Sequence, residues 1–139
     1  MRFSCDAPGG KAWFRIETEA EAAQESRLMR HAVEKHFLRA FEAAAQSYRP
    51  APGRYVEQDI GRAAYIRNAM PAFFTLRDGE GRALATAMLP PPGRAEPTPI
   101  VVGEANADPY PEHAEAIAAL GRHRGLALDR ARCYPYRRA

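Results

Sequence analysis

The sequence predicts a single α+β domain, in which a mostly antiparallel sheet of about four to five strands carries helices packed on one face. Three observations predict this class. A segment without Gly or Pro, rich in Ala, Glu, Arg and Leu, covers about 19–48, two apolar runs flank a turn with two glycines at 78–81, and a second helical pattern covers about 109–124. The 139 residues provide room for one domain, 1–139, whose end, 130–139, is strongly basic.

The first part of the chain predicts a strand followed by a long helix. Residues 12–17 follow a Pro-Gly-Gly turn and combine aromatic and β-branched side chains, which is typical of a strand. Thr18 and Glu21 have the spacing of a capping box, which marks the start of a helix. Beyond them the apolar residues recur on one arc of about 120°, so we expect one continuous helix over about 19–48 whose apolar face meets the sheet.

The middle of the chain predicts a hairpin and a further strand. Residues 55–69 fit either a short helix or a strand, and the spacing of their apolar residues favours the helix. Residues 72–77 and 82–89 alternate in side-chain character around the glycine turn, which predicts a β-hairpin. Residues 99–104, which follow a proline-rich connector, predict a buried strand.

The last third predicts a helix and a short strand. Asp108 before Pro109 has the form of a helix start, because Asp caps free backbone amides and proline is tolerated in the first turn. Gly125 has the form of the helix end. Residues 126–128 then indicate a last short strand.

The composition excludes two classes of protein. Apolar residues make up 46% of the chain and charged residues 27%, which is typical of folded domains and not of disordered ones. The longest stretch without charges or helix breakers, at 83–89, is far shorter than the ~20 apolar residues of a membrane span. The start of the chain does not resemble a signal peptide, so we expect a cytoplasmic protein with reduced Cys5 and Cys133 and no membrane partner.

The charge is distributed unevenly along the chain. The net charge is +3, and 18 of the 20 basic residues are arginine, while 28 residues are alanine, which is the bias of a GC-rich bacterial coding sequence. The number of arginines is therefore less informative than their position. Residues 121–139 carry six arginines against one aspartate, a local charge of +5, so the rest of the chain sums to −2.

Our first hypothesis is a small non-catalytic binding module that docks on nucleic acid or a nucleoprotein through this basic end. Arginines interleaved with tyrosines can neutralise phosphates and stack on bases. The hypothesis requires these guanidinium groups to be free in water, and it expects a folded domain to remain when 130–139 are removed. The residues proposed to bind the anion are Arg122, Arg124, Arg130, Arg132, Tyr134, Tyr136, Arg137 and Arg138.

Two arginines also fall on the inward-facing arcs of the predicted helices. Arg30 and Arg124 would be costly there without a partner. They could hold a phosphate or carboxylate, but an ion pair within the fold or an extended side chain that reaches water explains them more simply.

The second hypothesis is a protein–protein adaptor or inhibitor of the kind that mobile elements encode. Such a protein would use an exposed patch of aromatic side chains, because aromatic residues are enriched at the centres of interfaces. The candidate residues of this patch are Tyr55, Tyr65, Phe73 and Phe74.

The third hypothesis is a small enzyme that acts on an anionic substrate. Glu104, Asp108 and His113 lie close together in sequence where a strand is followed by a helix, a place that suits acid–base chemistry. A non-catalytic protein remains the preferred interpretation, since no motif for a cofactor, a phosphate loop or a nucleophile is present. His31 and His36 are five residues apart, so one helix cannot present both to a metal, and we interpret them as surface histidines. We expect no metal and no cofactor.

Overall fold

The structure is a computed structural model that describes residues 1–50 and 61–137. In these residues five strands form one antiparallel sheet in the order β1-β2-β3-β4-β5, together with four α-helices, which confirms the predicted α+β class. The strands are β1 (Arg2–Ala7), β2 (Lys11–Ile16), β3 (Ala72–Arg77), β4 (Ala83–Leu89) and β5 (Ile100–Val102). The helices are α1 (Glu19–Met29), α2 (Val33–Ser47), α3 (Gly61–Ala69) and α4 (Tyr110–Arg124).

The two ends of the predicted sheet differ from the structure. β1, which pairs with β2 at one edge, was not predicted, because an edge strand is half exposed and lacks a clear alternation of apolar and polar residues. The strand expected at 126–128 does not form. The other edge of the sheet is extended instead by an isolated parallel bridge between Ile100 and Tyr134.

The structure divides the predicted helix 19–48 into two. α1 ends at Met29, Arg30 adopts a left-handed conformation with φ 52°, and α2 begins at Val33. A continuous helix of that length would extend about 45 Å, far beyond one side of a small sheet, and the break allows both halves to pack on it. The hydroxyl of Ser26 accepts a hydrogen bond from the backbone N–H of Glu34 at 2.9 Å and so joins the two helices across the break.

Helices cover both faces of the sheet, which corrects the prediction that they share one. Alternate side chains of β3 enter two separate cores: Phe74 packs in the core that contains Ile117 of α4, whereas Phe73 packs in the core formed with α1, α2 and α3. The ring of Phe37 in α2 meets that of Phe73 at 5.4 Å. Because β3 is apolar on both sides, each face of the sheet needs its own layer of helix.

Other local predictions are confirmed. The Thr18 hydroxyl accepts from the Glu21 N–H at 3.1 Å and the Glu21 carboxylate accepts from the Thr18 N–H at 3.1 Å, so the capping box forms. Gly125 ends α4 with φ 70°. α3 is helical as preferred over 61–69, and the remainder of that predicted segment, 55–60, lies outside the described residues.

The C-terminal segment is part of the fold. Cys133 is completely buried in the core against α4, and like Cys5 it is a free thiol. The Tyr134 N–H donates to the Pro99 carbonyl at 2.8 Å, and the Tyr136 ring packs edge-on against Tyr110 at 5.7 Å. Removal of 130–137 would take these buried contacts and hydrogen bonds from the fold, which corrects the expectation that the domain folds without 130–139.

Candidate functional site

Four arginines from four elements gather at one end of the sheet. In an antiparallel sheet the start of β1, the end of β2 and the start of β3 lie at the same end. Arg2 and Arg15 are cross-strand partners, and Arg15 is in turn opposite Phe74. The Arg124 guanidinium, from the last turn of α4, lies 5.3 Å from the centre of the Phe74 ring. Arg15 also donates a hydrogen bond at 3.1 Å to the carbonyl of Arg67, at the end of α3.

We call Arg2, Arg15, Arg67 and Arg124 the arginine cluster. Among the residues that the structure describes, one carboxylate pairs with it, that of Glu17: its oxygens lie 3.4 Å from Nε of Arg2 and 3.6 Å from Nε of Arg67. Burial lowers the pKa of Arg15, and the positive charge of Arg124 is the next largest cause of the decrease. The charges of Arg67 and Arg2 also lower this pKa, whereas the Glu17 carboxylate raises it. Like charges are therefore held together here, and the described part of the chain neutralises them only in part.

A groove continues the positive surface beyond the cluster. It lies where β4 leads into the proline-rich connector and α4 ends, and Arg124 belongs to both the groove and the cluster. Arg94 and His123 line it, and no carboxylate is among the described residues of its lining. The basic residues of the last turn of α4 also complement the partial negative charge at the end of a helix.

The structure brings only part of the predicted anion-binding set together: Arg122 and Arg130 line one pocket beside α4, together with Asp129. Arg122 and Arg124 lie at the C-terminal end of α4, which is about 22 Å long. Residues 130–137 return to its other end, where Arg130 forms an ion pair at 2.9 Å with Asp108, just before the helix starts. The predicted set is therefore split, and Arg124 alone belongs to the arginine cluster.

Two of the predicted arginines are neutralised by carboxylates of the chain, which corrects the expectation that they are free. Arg130 is paired with Asp108 and also lies 4.3 Å from the Tyr136 ring centre, and Arg132 is 2.6 Å from Asp129.

The other members of the predicted set have different surroundings. Arg137 donates to the Thr98 hydroxyl at 2.9 Å, Arg122 is exposed, and Arg138 lies outside the described residues. The Tyr134 side chain is 59% exposed.

The predicted aromatic patch does not form. Phe73 and Phe74 are each only 1% exposed and point to opposite faces of the sheet, because neighbouring residues of a strand alternate. Tyr65 is 38% exposed, with its hydroxyl 2.7 Å from that of Ser47. Tyr55 lies outside the described residues.

The three predicted acid–base residues are separately engaged and do not converge. Glu104 pairs with Arg30 at 2.7 Å, and Asp108 accepts from the first backbone amide of α4 besides pairing with an arginine. His113 lies 3.1 Å from Nζ of Lys11 in the β1–β2 hairpin, and burial, then the Lys11 charge, lower its pKa. These residues are close in sequence but not in space, because the 104–106 turn contacts Arg30 whereas His113 on α4 contacts Lys11.

A buried polar network on the other side of the sheet was not predicted. Glu25 of α1 has no exposed surface, and its carboxylate accepts from Arg77 at 3.0 Å and from the Thr86 hydroxyl at 2.5 Å. The Thr86 oxygen lies 2.9 Å from Nε2 of His31. The interpretation of His31 as a surface histidine is wrong, since the break after α1 turns it inward. A signal existed: Glu25 falls on the helix face of the buried Ala22 and Met29.

No protein-family model, curated protein or solved structure matches the chain. Within residues 1–50 and 61–137 no group of three or more His, Cys, Asp or Glu is arranged to hold a metal ion. In the same part of the chain no helix combines the length and the apolar character that crossing a membrane requires.

Proposed function

We propose that the protein is a non-catalytic binding module that binds the phosphate backbone of a nucleic acid, free or within a nucleoprotein, through the arginine cluster. The observation that carries the proposal is the gathering of Arg2, Arg15, Arg67 and Arg124 around Glu17, whose carboxylate is the one that pairs with them in the residues 1–50 and 61–137. The ligand class is the one that the sequence predicts, but the binding surface lies at this end of the sheet instead of on the C-terminal segment.

An anion would relieve the repulsion inside the cluster. A guanidinium offers parallel N–H donors that match two phosphate oxygens, and such charge-assisted bonds are about twice as strong as neutral ones. Arg15 is half-buried and Arg124 lies over Phe74, so both groups are held in place before a ligand arrives. Arg2 and Arg67 keep 60% and 42% of their side-chain surface exposed, which leaves donors available to a ligand.

A chain of phosphates suits the surface better than a single phosphate does. The groove with Arg94 and His123 shares Arg124 with the cluster and extends the positive potential along the end of α4. A polymer with regularly spaced phosphates can occupy both parts, whereas a single phosphate occupies only one. The free thiols of Cys5 and Cys133 are compatible with a cytoplasmic location, where such a ligand is present.

The test compares two double variants that lose the same charge. Arg2→Ala/Arg124→Ala removes two members of the cluster, and Arg27→Ala/Arg39→Ala removes two exposed arginines of α1 and α2, on the other side of the sheet. Affinity for a labelled single-stranded oligonucleotide is measured by fluorescence anisotropy in low salt. We expect about a tenfold loss or more for the cluster variant and less than about twofold for its control.

Two outcomes would contradict the proposal. One is wild-type protein that does not bind the oligonucleotide even in low salt. The other is an equal loss in both double variants, which would mean that net charge alone attracts the ligand and that the cluster is not a site. Circular dichroism melting curves establish that both variants are folded.

A further inference from the structure

Lys11 and His113 form a close pair at the end of the sheet away from the arginine cluster. Lys11 is the first residue of β2, whereas Arg15 lies near the other end of that strand. The Nζ atom of Lys11 lies 3.1 Å from Nδ1 of His113, near the start of α4, and both side chains are partly buried. Both residues line a groove of about 470 Å³ between the β1–β2 turn and this end of α4.

The contact determines which nitrogen of His113 carries the hydrogen. A lysine ammonium group only donates hydrogen bonds, so Nδ1 of His113 accepts from Lys11 with its lone pair. Nε2 of the neutral ring then carries the hydrogen, and it lies 3.9 Å from the Glu112 carboxylate. Burial, and after it the Lys11 charge, lower the pKa of His113, so the ring is neutral at neutral pH. A basic imidazole nitrogen within hydrogen-bond reach of an amine is the arrangement that activates a nucleophile.

The charges of the groove favour a neutral reactant. Glu112 and Glu115 line it together with Lys11 and His113. Both glutamates are exposed, so a reactant that approaches Lys11 meets two carboxylates. These carboxylates repel a reactant that carries a negative charge near its reacting carbon and leave a neutral one unaffected.

We propose that Lys11 is a site of acylation by thioesters with a neutral acyl group, and that His113 is the general base. The neutral amine of Lys11 attacks the thioester carbonyl carbon with its lone pair, a C–N bond forms and the C–S bond breaks. The thiolate leaves with the electron pair of that bond. The proton that the nitrogen loses passes to Nδ1 of His113 and from there to the thiolate. The product is an amide, so Lys11 loses its positive charge.

The chain offers an internal comparison, because Lys11 and Lys35 are its two lysines. Lys35 is exposed on α2 beside the exposed His36, so accessibility alone would make Lys35 react faster. The full chain is incubated with S-acetyl-N-acetylcysteamine at about pH 8, then unfolded, and its unreacted amines are capped with deuterated acetic anhydride. Mass spectrometry of the peptides gives the rate at each lysine. We expect Lys11 to react about tenfold faster than Lys35.

Two matched variants show whether His113 takes the proton. His113→Gln keeps a hydrogen-bond acceptor for Lys11 but is not a base, so the rate at Lys11 should fall about tenfold while the rate at Lys35 stays the same. His36→Gln changes the histidine beside Lys35 and should alter neither rate. Melting curves establish that both variants are folded.

A second thioester tests the class of acyl group. With the malonyl thioester of the same thiol, whose acyl group is anionic, the preference for Lys11 over Lys35 should fall to about a third. Reaction at Lys11 no faster than at Lys35 in the wild type, an unchanged Lys11 rate in folded His113→Gln, or the same preference with both thioesters would overturn the proposal. The first and third comparisons use wild-type protein, so they decide the matter even if His113→Gln does not fold. The site is separate from the arginine cluster, and either proposal can fail without the other.

Discussion

The carboxylate of Glu25, which has no exposed surface, lies 3.0 Å from the guanidinium of Arg77. This ion pair links α1 to the end of β3 and lies between that helix and the sheet. Burying two charges costs several kcal/mol per ion unless each is paired and hydrogen-bonded, and here the second oxygen of Glu25 is satisfied by Thr86. The stability of this buried group of residues therefore depends on Glu25, Arg77 and Thr86 together.

Removal of Arg77 tests this dependence. Arg77→Met leaves the Glu25 charge buried and uncompensated, so we expect the free energy of unfolding to fall by about 3–5 kcal/mol. Arg82→Met, an exposed position in the same hairpin, should change it by less than about 0.5 kcal/mol. Urea unfolding measures both, and similar effects of the two substitutions would mean that the pair contributes nothing specific.

Stability should fall with mild acid. Burial lowers the pKa of His31 and of His113 below the ordinary value of 6.5, with the Lys11 charge as a second cause for His113. Between the folded and the unfolded pKa the unfolded chain binds more protons, so the free energy of unfolding rises with pH in that window. This stabilisation is complete above 6.5 and is lost as the pH decreases.

Melting temperatures measured from about pH 7.5 to about pH 5 check this effect. His31→Gln, which keeps a donor for Thr86, and His113→Gln should each flatten part of the wild-type decrease, and the double variant should flatten most of it. An unchanged slope in the double variant would assign the pH dependence to other groups.

Gly121 should not tolerate the residue that normally stabilises a helix. A Cβ added to Gly121 would lie 2.6 Å from the backbone carbonyl of Leu126, which packs against α4 immediately after it ends. In an open helix Gly→Ala stabilises by about 1 kcal/mol, but here the clash should make Gly121→Ala destabilising by about 1–3 kcal/mol. Ala118→Gly, at an exposed position of the same helix, should cost about 1 kcal/mol through propensity alone. A more stable Gly121→Ala protein would contradict the packing described.

The C-terminal segment should be needed for folding. A chain that ends after Asp129 loses the buried Cys133, the Tyr134–Pro99 hydrogen bond and the Tyr136–Tyr110 contact. We expect this truncation to lower the melting temperature by more than about 10 °C or to abolish cooperative melting, since each buried side chain contributes about 1.5–3 kcal/mol. A chain that ends after Arg137 keeps every one of these contacts and serves as the control. A shorter chain that melts like the control would contradict this role.

Local signals explain what the sequence predicted correctly. The capping box at Thr18, the glycine turn between β3 and β4, and Gly125 after α4 act within a few residues, and they placed those elements within one or two positions. No Gly or Pro marks the break after Met29 in the sequence. It depends on tertiary contacts of Arg30 and Ser26, which no local pattern contains.

The candidate sites were harder to predict for the same reason. Each member of the arginine cluster lies on a different element. The pairing of β1 with β2 brings Arg2 beside Arg15, and the packing of α4 on the sheet brings Arg124 to the same end. The C-terminal arginines were conspicuous in sequence, but Arg130 and Arg132 are paired with nearby aspartates. The position of arginines along the chain therefore does not predict which of them lie close together in the folded protein.

The salt dependence of single-stranded oligonucleotide binding tests the central claim most directly. Each phosphate contact contributes about −0.7 to the slope of log association constant against log salt concentration, so three to four contacts predict a slope of about −2 to −3. Arg124→Ala should make this slope less steep by about 0.7, while Arg130→Ala, whose guanidinium is already paired with Asp108, should leave it unchanged. A slope near zero in the wild type, or a slope reduced by Arg130→Ala and not by Arg124→Ala, would contradict the account.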